Sequence, residues 1–194
     1  TDHVGTGNVE YVVKTLVVDC ANGTNRWDIL AMPGVEITHV PKDDIDLVAR
    51  TAKELGAKLV TVHGETIVEP VEPGTNEAAV RSAFVDVLAH PGLISYEVAR
   101  LAAENGVYLE ISARKGHSLA NGHVVNMARQ AGAATVLDSD AHEPDDLLTL
   151  DLIDKIAEGA GLNKEEAHAL LKTNPQNLLA KLGFGPVPAS DSSL

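Results

Sequence analysis

The chain has 194 residues, 44% of them hydrophobic, and a formal net charge of −13. That is the size of one domain with a substantial apolar core, and a mean hydropathy of zero without any long uncharged apolar run excludes a bilayer-spanning segment. With so acidic a balance and no Lys/Arg cluster, nucleic acid is not expected as a partner, and an anionic substrate needs local cations such as metals.

In chain order, Thr1-Asp2-His3 reads as the end of a strand. No signal peptide is recognisable, and the single cysteine, Cys20, sits beside Leu16, Val17 and Val18. Its surroundings suggest ordinary burial in a reducing compartment, hence a cytoplasmic location. A strand is expected over 28–37 (DILAMPGVEI), followed by a helix in which Ile45, Val48, Ala49, Ala52 and Leu55 share one face and Gly56 is the stop. The run AKLVTVHG is the next strand, with a helix over 76–83 and then the strand VDVLAHPG. Residues 95–105 place Val98, Leu101 and Ala102 on one helical face before Gly106, and GVYLEIS is the strand that follows. Residues 121–131, with Val124, Val125 and Ala128, end at Gly132 ahead of the strand ATVLDSD. Asn163 with Glu166 three residues on forms a capping box, and Pro175 opens a last helix to about residue 182. The domain is therefore expected over 1–182 with a tail over 183–194. The alternation of strand and helix implies a largely parallel sheet, either open or closed as a barrel.

Polar residues gather where these strands end: His3, Glu36, His63, His90, Asp140 and His142. In parallel βα folds the carboxyl ends of the strands share one face, so donors far apart in sequence converge there. One histidine at a strand end is ordinarily just hydrogen-bonded, but four with two acids suit zinc, iron or manganese. Asp140 and His142, two apart, would share one side of an extended segment while Ser139 and Ala141 point away. Asp138 is a candidate partner for a ligand histidine. His39 and His168 fall outside the cluster, His168 on the polar face of its helix.

The motifs TDH, PGVEITH, VTVHGETIVEP, LAHPG, ISARKGHSLANGH and LDSDAH stand in the order found in the PHP (polymerase and histidinol phosphatase) hydrolases. The chain resembles their small stand-alone, histidinol-phosphatase-like branch. The resemblance implies an α/β fold, a distorted seven-stranded TIM-like βα barrel, with up to three divalent ions, Zn, Mn or Fe, at the strand ends. It implies His3, Glu36, His63, His90, Asp140 and His142 as ligands, Glu36 bridging two ions, and Glu36, Asp140 and His142 as catalytic. The family's opening His-x-His strand does not precede His3 here, so a first strand is expected to be missing from the chain, or naturally absent.

The substrate implied is a small phosphate monoester attacked by metal-activated water. Arg114, Lys115 and His117 are the expected phosphate contacts, since a guanidinium can bind two phosphoryl oxygens at once. Asn121 and His123 belong to the same block, and Glu65 and Thr66 are candidate supporting residues, with EPVEPG as a stiff loop at the mouth. Two alternatives stay open: an amidohydrolase-like C–N hydrolase, and a non-catalytic barrel that binds RNA or a protein.

Overall fold

The computed structural model describes residues 1–185; residues 186–194, most of the expected tail, lie outside the described residues. Six parallel strands form one sheet in chain order: β1 Asp2–Val4, β2 Gly34–Ile37, β3 Leu59–His63, β4 Val87–Ala89, β5 Tyr108–Ser112 and β6 Thr135–Asp138. The helices are α1 Val9–Arg26, α2 Ile45–Leu55, α3 Thr75–Arg81, α4 Tyr96–Asn105, α5 Asn121–Ala131, α6 Leu150–Gly159, α7 Lys164–His168 and α8 Asn174–Lys181. The seven strands that the resemblance implies number six among the described residues, where a first strand is expected to be missing, and no pairing there joins β6 to β1. The remaining β-branched run, Val12 to Val18, is taken up by α1.

Side-chain alternation along the strands builds two different faces. Val35, Ile37, Val60, Val62, Leu88, Leu109 and Ile111 are buried against Val48, Ala49, Ala52, Ala99, Ala102, Val124 and Ala128 of the helices, which is the main core. The opposite face carries Glu36, Thr61, Glu110 and Asp138 toward a cavity of about 520 Å³, floored by Leu178, Leu179 and Leu182 at α8. The sheet thus curls around a polar interior whose base is apolar, where Val87, Tyr108 and Val136 pack together.

Local signals explain most boundaries. Gly56, Gly106 and Gly132 end α2, α4 and α5 in the left-handed conformation that costs glycine little. The Ser95 hydroxyl accepts from Val98 N to start α4, and the Asn163/Glu166 capping box starts α7. The strand expected over 28–37 shortens to its last four residues. Pro33 cannot donate to a ladder, and its carbonyl instead receives the Lys58 and Leu59 amides. Cys20 is only partly buried on α1.

Two glycines set how tightly the segments after β3 and β4 pack. A Cβ on Gly64 would lie 2.3 Å from the Ala89 carbonyl oxygen, and one on Gly92 would lie 2.0 Å from the Glu65 carbonyl oxygen. Gly92 also has φ +60, as Gly132 has φ +71 but with open space around it. Gly92→Ala should therefore destabilise the fold by about 1–3 kcal/mol from overpacking alone, more than Gly132→Ala, which meets only the backbone penalty. Denaturant unfolding of both variants checks this; equal losses would show that the close approach is unimportant.

Candidate metal centre

Glu36 points inward from β2, His63 ends β3, and His90 follows β4, all three buried. Glu36 Oε1 stands 3.2 Å from His63 Nδ1 and 3.6 Å from His90 Nε2, and those two nitrogens are 3.0 Å apart. Two donors about 2.1 Å from one ion at a tetrahedral angle are separated by about 3.4 Å, so the spacing fits one shared cation. His90, His117 and Asp140 form a second group of mutually close donors.

The outer nitrogen of each ring faces an oxygen, as a hydrogen bond for His63 and His117 and outside hydrogen-bond geometry for His90. His63 Nε2 lies 3.4 Å from the Glu69 carbonyl, His90 Nδ1 lies 3.3 Å from Glu110 Oε2, and His117 Nδ1 lies 2.7 Å from Thr66 Oγ1. Protons placed on those outer nitrogens leave lone pairs pointing inward, the tautomer that metal ligation requires. At 3.0 Å, two bare lone pairs on His63 and His90 repel unless a cation lies between them. The ring of His39, outside the cluster by sequence, stacks 5.8 Å from His63, whereas His168 is exposed on α7.

His90 and Asp140 adopt φ +27 and +46, a region side chains rarely occupy. The segment after β6 is therefore turned at Asp140, not extended as its alternation suggests, and His142 Nδ1 still reaches within 3.5 Å of Asp140 Oδ1. His3 and His142 bring their Nε2 atoms to 3.5 Å beside Glu36 and Asp140, across a smaller cavity of about 170 Å³. Thr38 Oγ1 holds His3 Nδ1 at 2.7 Å.

In the phosphate-loop block, Arg114 Nη1 donates to the Asp140 carbonyl at 3.1 Å and to His142 Nδ1, and its Nε is 3.6 Å from Asp140 Oδ2. Lys115 is exposed on a shallow cavity shared with Arg114, His142, Glu143 and Asp146. His117 is instead 3% exposed, inside the donor cluster. Asn121 and His123 brace backbone, pairing with Ser112 and with the Ile94 carbonyl. Glu65 Oε1 accepts from the Gly74 and Asn76 amides at 3.0 and 2.9 Å, closing the loop between β3 and α3 on itself.

The sequence reading missed Glu110, whose one available signal is a lone acid between Leu109 and Ile111 in a strand. Its backbone neighbour across the gap, His90 N, donates to Oε2 at 3.1 Å. Burial pushes the Glu110 carboxyl up to about 7, and burial together with Glu110 pushes Asp138 well up. Burial also raises Asp140 and lowers His90. For Glu36, burial is outweighed by the His63 hydrogen bond and the surrounding imidazoles, so its carboxyl is lowered.

No family model matches the chain. It is 41% identical over 183 residues to the uncharacterized protein MJ1295 of Methanocaldococcus jannaschii, covering 94% of this chain and 84% of that one. The chain belongs to the MJ1295 family. A more distant relative of this MJ1295-family chain is a probable phosphatase of Shewanella halifaxensis, 32% identical over 154 residues, covering 72% of this chain and 60% of that protein. Another is Ribonuclease P protein component 3 of Methanosarcina acetivorans, 31% identical over 135 residues and covering 62% and 56%. Among solved structures, an archaeal Ribonuclease P with mature tRNA contains a chain of the same fold, TM-score 0.70 at 15% identity over 93% of this chain and 85% of that one. An amidohydrolase matches at TM-score 0.60 and 19% identity, over 89% and 46%. The neighbours are TIM-like barrels, which places the six-stranded sheet in that class. The exclusion of nucleic acid as a partner class is overturned by the Ribonuclease P relative and structure: net charge describes the whole surface, not an assembly contact. No described helix is long and apolar enough to cross a membrane.

An imidazole must be neutral to bind an ion, and His63 is the ring whose protonation competes. Burial works against its charge, but the Glu36 hydrogen bond and carboxylate and the Glu69 contacts together raise it above the usual imidazole value of 6.5. Affinity for Mn(II) or Zn(II) should therefore fall as pH drops through that raised value, with a proton displaced on binding. Calorimetric titration in buffers of different ionisation enthalpy checks both; affinity independent of pH there would remove His63 from the ligand set.

Proposed function

We propose that this chain is a PHP-type, metal-dependent phosphoesterase acting on a small phosphate monoester of the histidinol phosphate kind. The observation that carries the reading is the inward convergence of His63, His90 and Glu36, with an oxygen facing the outer nitrogen of each ring. Hard carboxylates with imidazoles suit Zn, Mn or Fe. Bound there, divalent ions supply an activated water and neutralise charge on the phosphoryl oxygens.

Glu36, His63 and His90 would hold one ion, and Asp140 beside Glu36 offers carboxylate oxygens for a neighbour. His3 and His142 flank the smaller cavity and would complete the ligand set at its edge. Glu36, Asp140 and His142 are the catalytic group in this reading. Arg114, partly exposed and already fixed on Asp140 and His142, presents its remaining N–H groups toward the shallow cavity. Lys115 adds a second cation at that rim, which orients an anionic substrate. The location proposed is the cytoplasm.

The test is hydrolysis of p-nitrophenyl phosphate with Mn(II) or Zn(II), abolished by a chelator and restored by the ion. No turnover across several metals and pH values would overturn the reading. Arg114→Ala should raise KM roughly 10- to 150-fold, the equivalent of a charged hydrogen bond worth about 1.5–3 kcal/mol, with little change in Tm. Unchanged KM with a lowered Tm would make Arg114 a structural residue.

The Ribonuclease P relative favours a second reading, a barrel that joins an RNA–protein assembly. A salt-dependent RNA mobility shift separates the two, since phosphate-driven binding weakens steeply as salt rises.

A further inference from the structure

We propose that His117 is an ion ligand which, with Asp140, completes a second ion position beside the Glu36–His63–His90 triad. The proposal rests on the metal-dependent reading above and reassigns His117 from the phosphate loop to the ion cluster.

His117 lies in the turn between β5 and α5, next in sequence to the basic pair, yet its side chain is enclosed where Lys115 is exposed. Its ring stacks on His90 with centroids 4.1 Å apart and planes at 17°. Thr66, itself buried, holds Nδ1 at 2.7 Å, so Nε2 is the atom turned into the cluster. There it meets Asp140 Oδ2 at 3.6 Å and Glu69 Oε1 at 3.9 Å. These separations exceed hydrogen-bond length but match two donors sharing one ion, which stand about 3.4 Å apart at a tetrahedral angle.

His90 explains why a second imidazole is needed. Its Nε2 carries one lone pair, and that atom already lies closest to His63 and Glu36. It can serve one ion only. A neighbouring ion must take its nitrogen ligand elsewhere, and His117 is parallel to His90 and adjacent to Asp140. Two ions in clusters of this kind sit about 3.5–4 Å apart, comparable to the stacking distance of the two rings.

The experiment is Co(II) titration of the full chain without substrate, read by calorimetry and by visible absorption, with circular dichroism to verify folding. The unaltered protein should take at least two equivalents. His117→Gln should lose one of them while retaining the ion of the Glu36 triad, and Thr66→Val, which leaves the ligand in place, should weaken that same ion about 10- to 100-fold. If His117→Gln keeps every equivalent at unchanged affinity, the proposal fails, and a selective rise in the inhibition constant of inorganic phosphate would return His117 to the substrate. If the unaltered protein binds a single ion, the second position is refuted while the metal-dependent reading stands. If it binds none, that reading falls as well. Should His117→Gln fail to fold, the Thr66→Val titration decides alone: unchanged affinity overturns the assignment.

Discussion

The site is organised by a backbone contact rather than by any one side chain: the segments that leave β3 and β4 touch at Gly64 and Gly92, where no Cβ fits. The Gly64 amide donates to the Ala89 carbonyl at 3.0 Å, stitching the two strand ends together just past their last ladder bonds. His63 and His90 flank that stitch, and their ring centroids lie 4.4 Å apart. The left-handed backbone at His90 is the local cost of turning the ring inward immediately before Pro91 and Gly92.

Electrostatics then decides what the enclosed interior can hold. Glu36, Glu110, Asp138 and Asp140 face one another across the polar side of the sheet, and Glu36, Glu110 and Asp140 each raise the protonation tendency of one or more of the others. Four carboxyl groups in a low-dielectric space cannot all carry charge without compensation. The imidazoles supply part of it, and burial shifts Glu110 and Asp138 toward their protonated forms. His90 Nδ1 and Glu110 Oε1 are buried without a hydrogen-bond partner within geometric limits, although Glu110 Oε2 and His90 Nδ1 are 3.3 Å apart.

Much of this arrangement was readable in the chain. The helices α2, α4 and α5 announce themselves by apolar spacing and a terminal glycine, and α7 by its capping box, because these signals are local. By contrast, α1 escapes notice: its valines are β-branched, Asn22-Gly23-Thr24-Asn25 resembles a turn, and half of its apolar residues stay exposed. The amphipathic α6 is likewise not among the expected elements, although the Thr149 hydroxyl caps its start. At the site, Glu36, His63, His90 and Asp140 are strand-end residues and could be grouped by topology alone. Glu110 lies inside a strand, and His117 inside a turn full of basic residues, so neither position reveals that the side chain turns inward. Only the three-dimensional stacking on His90 and the Thr66 contact show that.

The loop closed by Glu65 has a thermodynamic meaning for recognition. A single carboxylate oxygen ties both Gly74 and Asn76, and Asn76 in turn holds the Glu65 amide and the Pro91 carbonyl, so the loop that carries Glu69 toward His63 and His117 is cross-braced before anything enters. A ligand arriving there meets a surface whose conformational entropy was already surrendered during folding. Selectivity must then arise from shape and charge match at a rigid opening, and little binding free energy is diverted into ordering the protein.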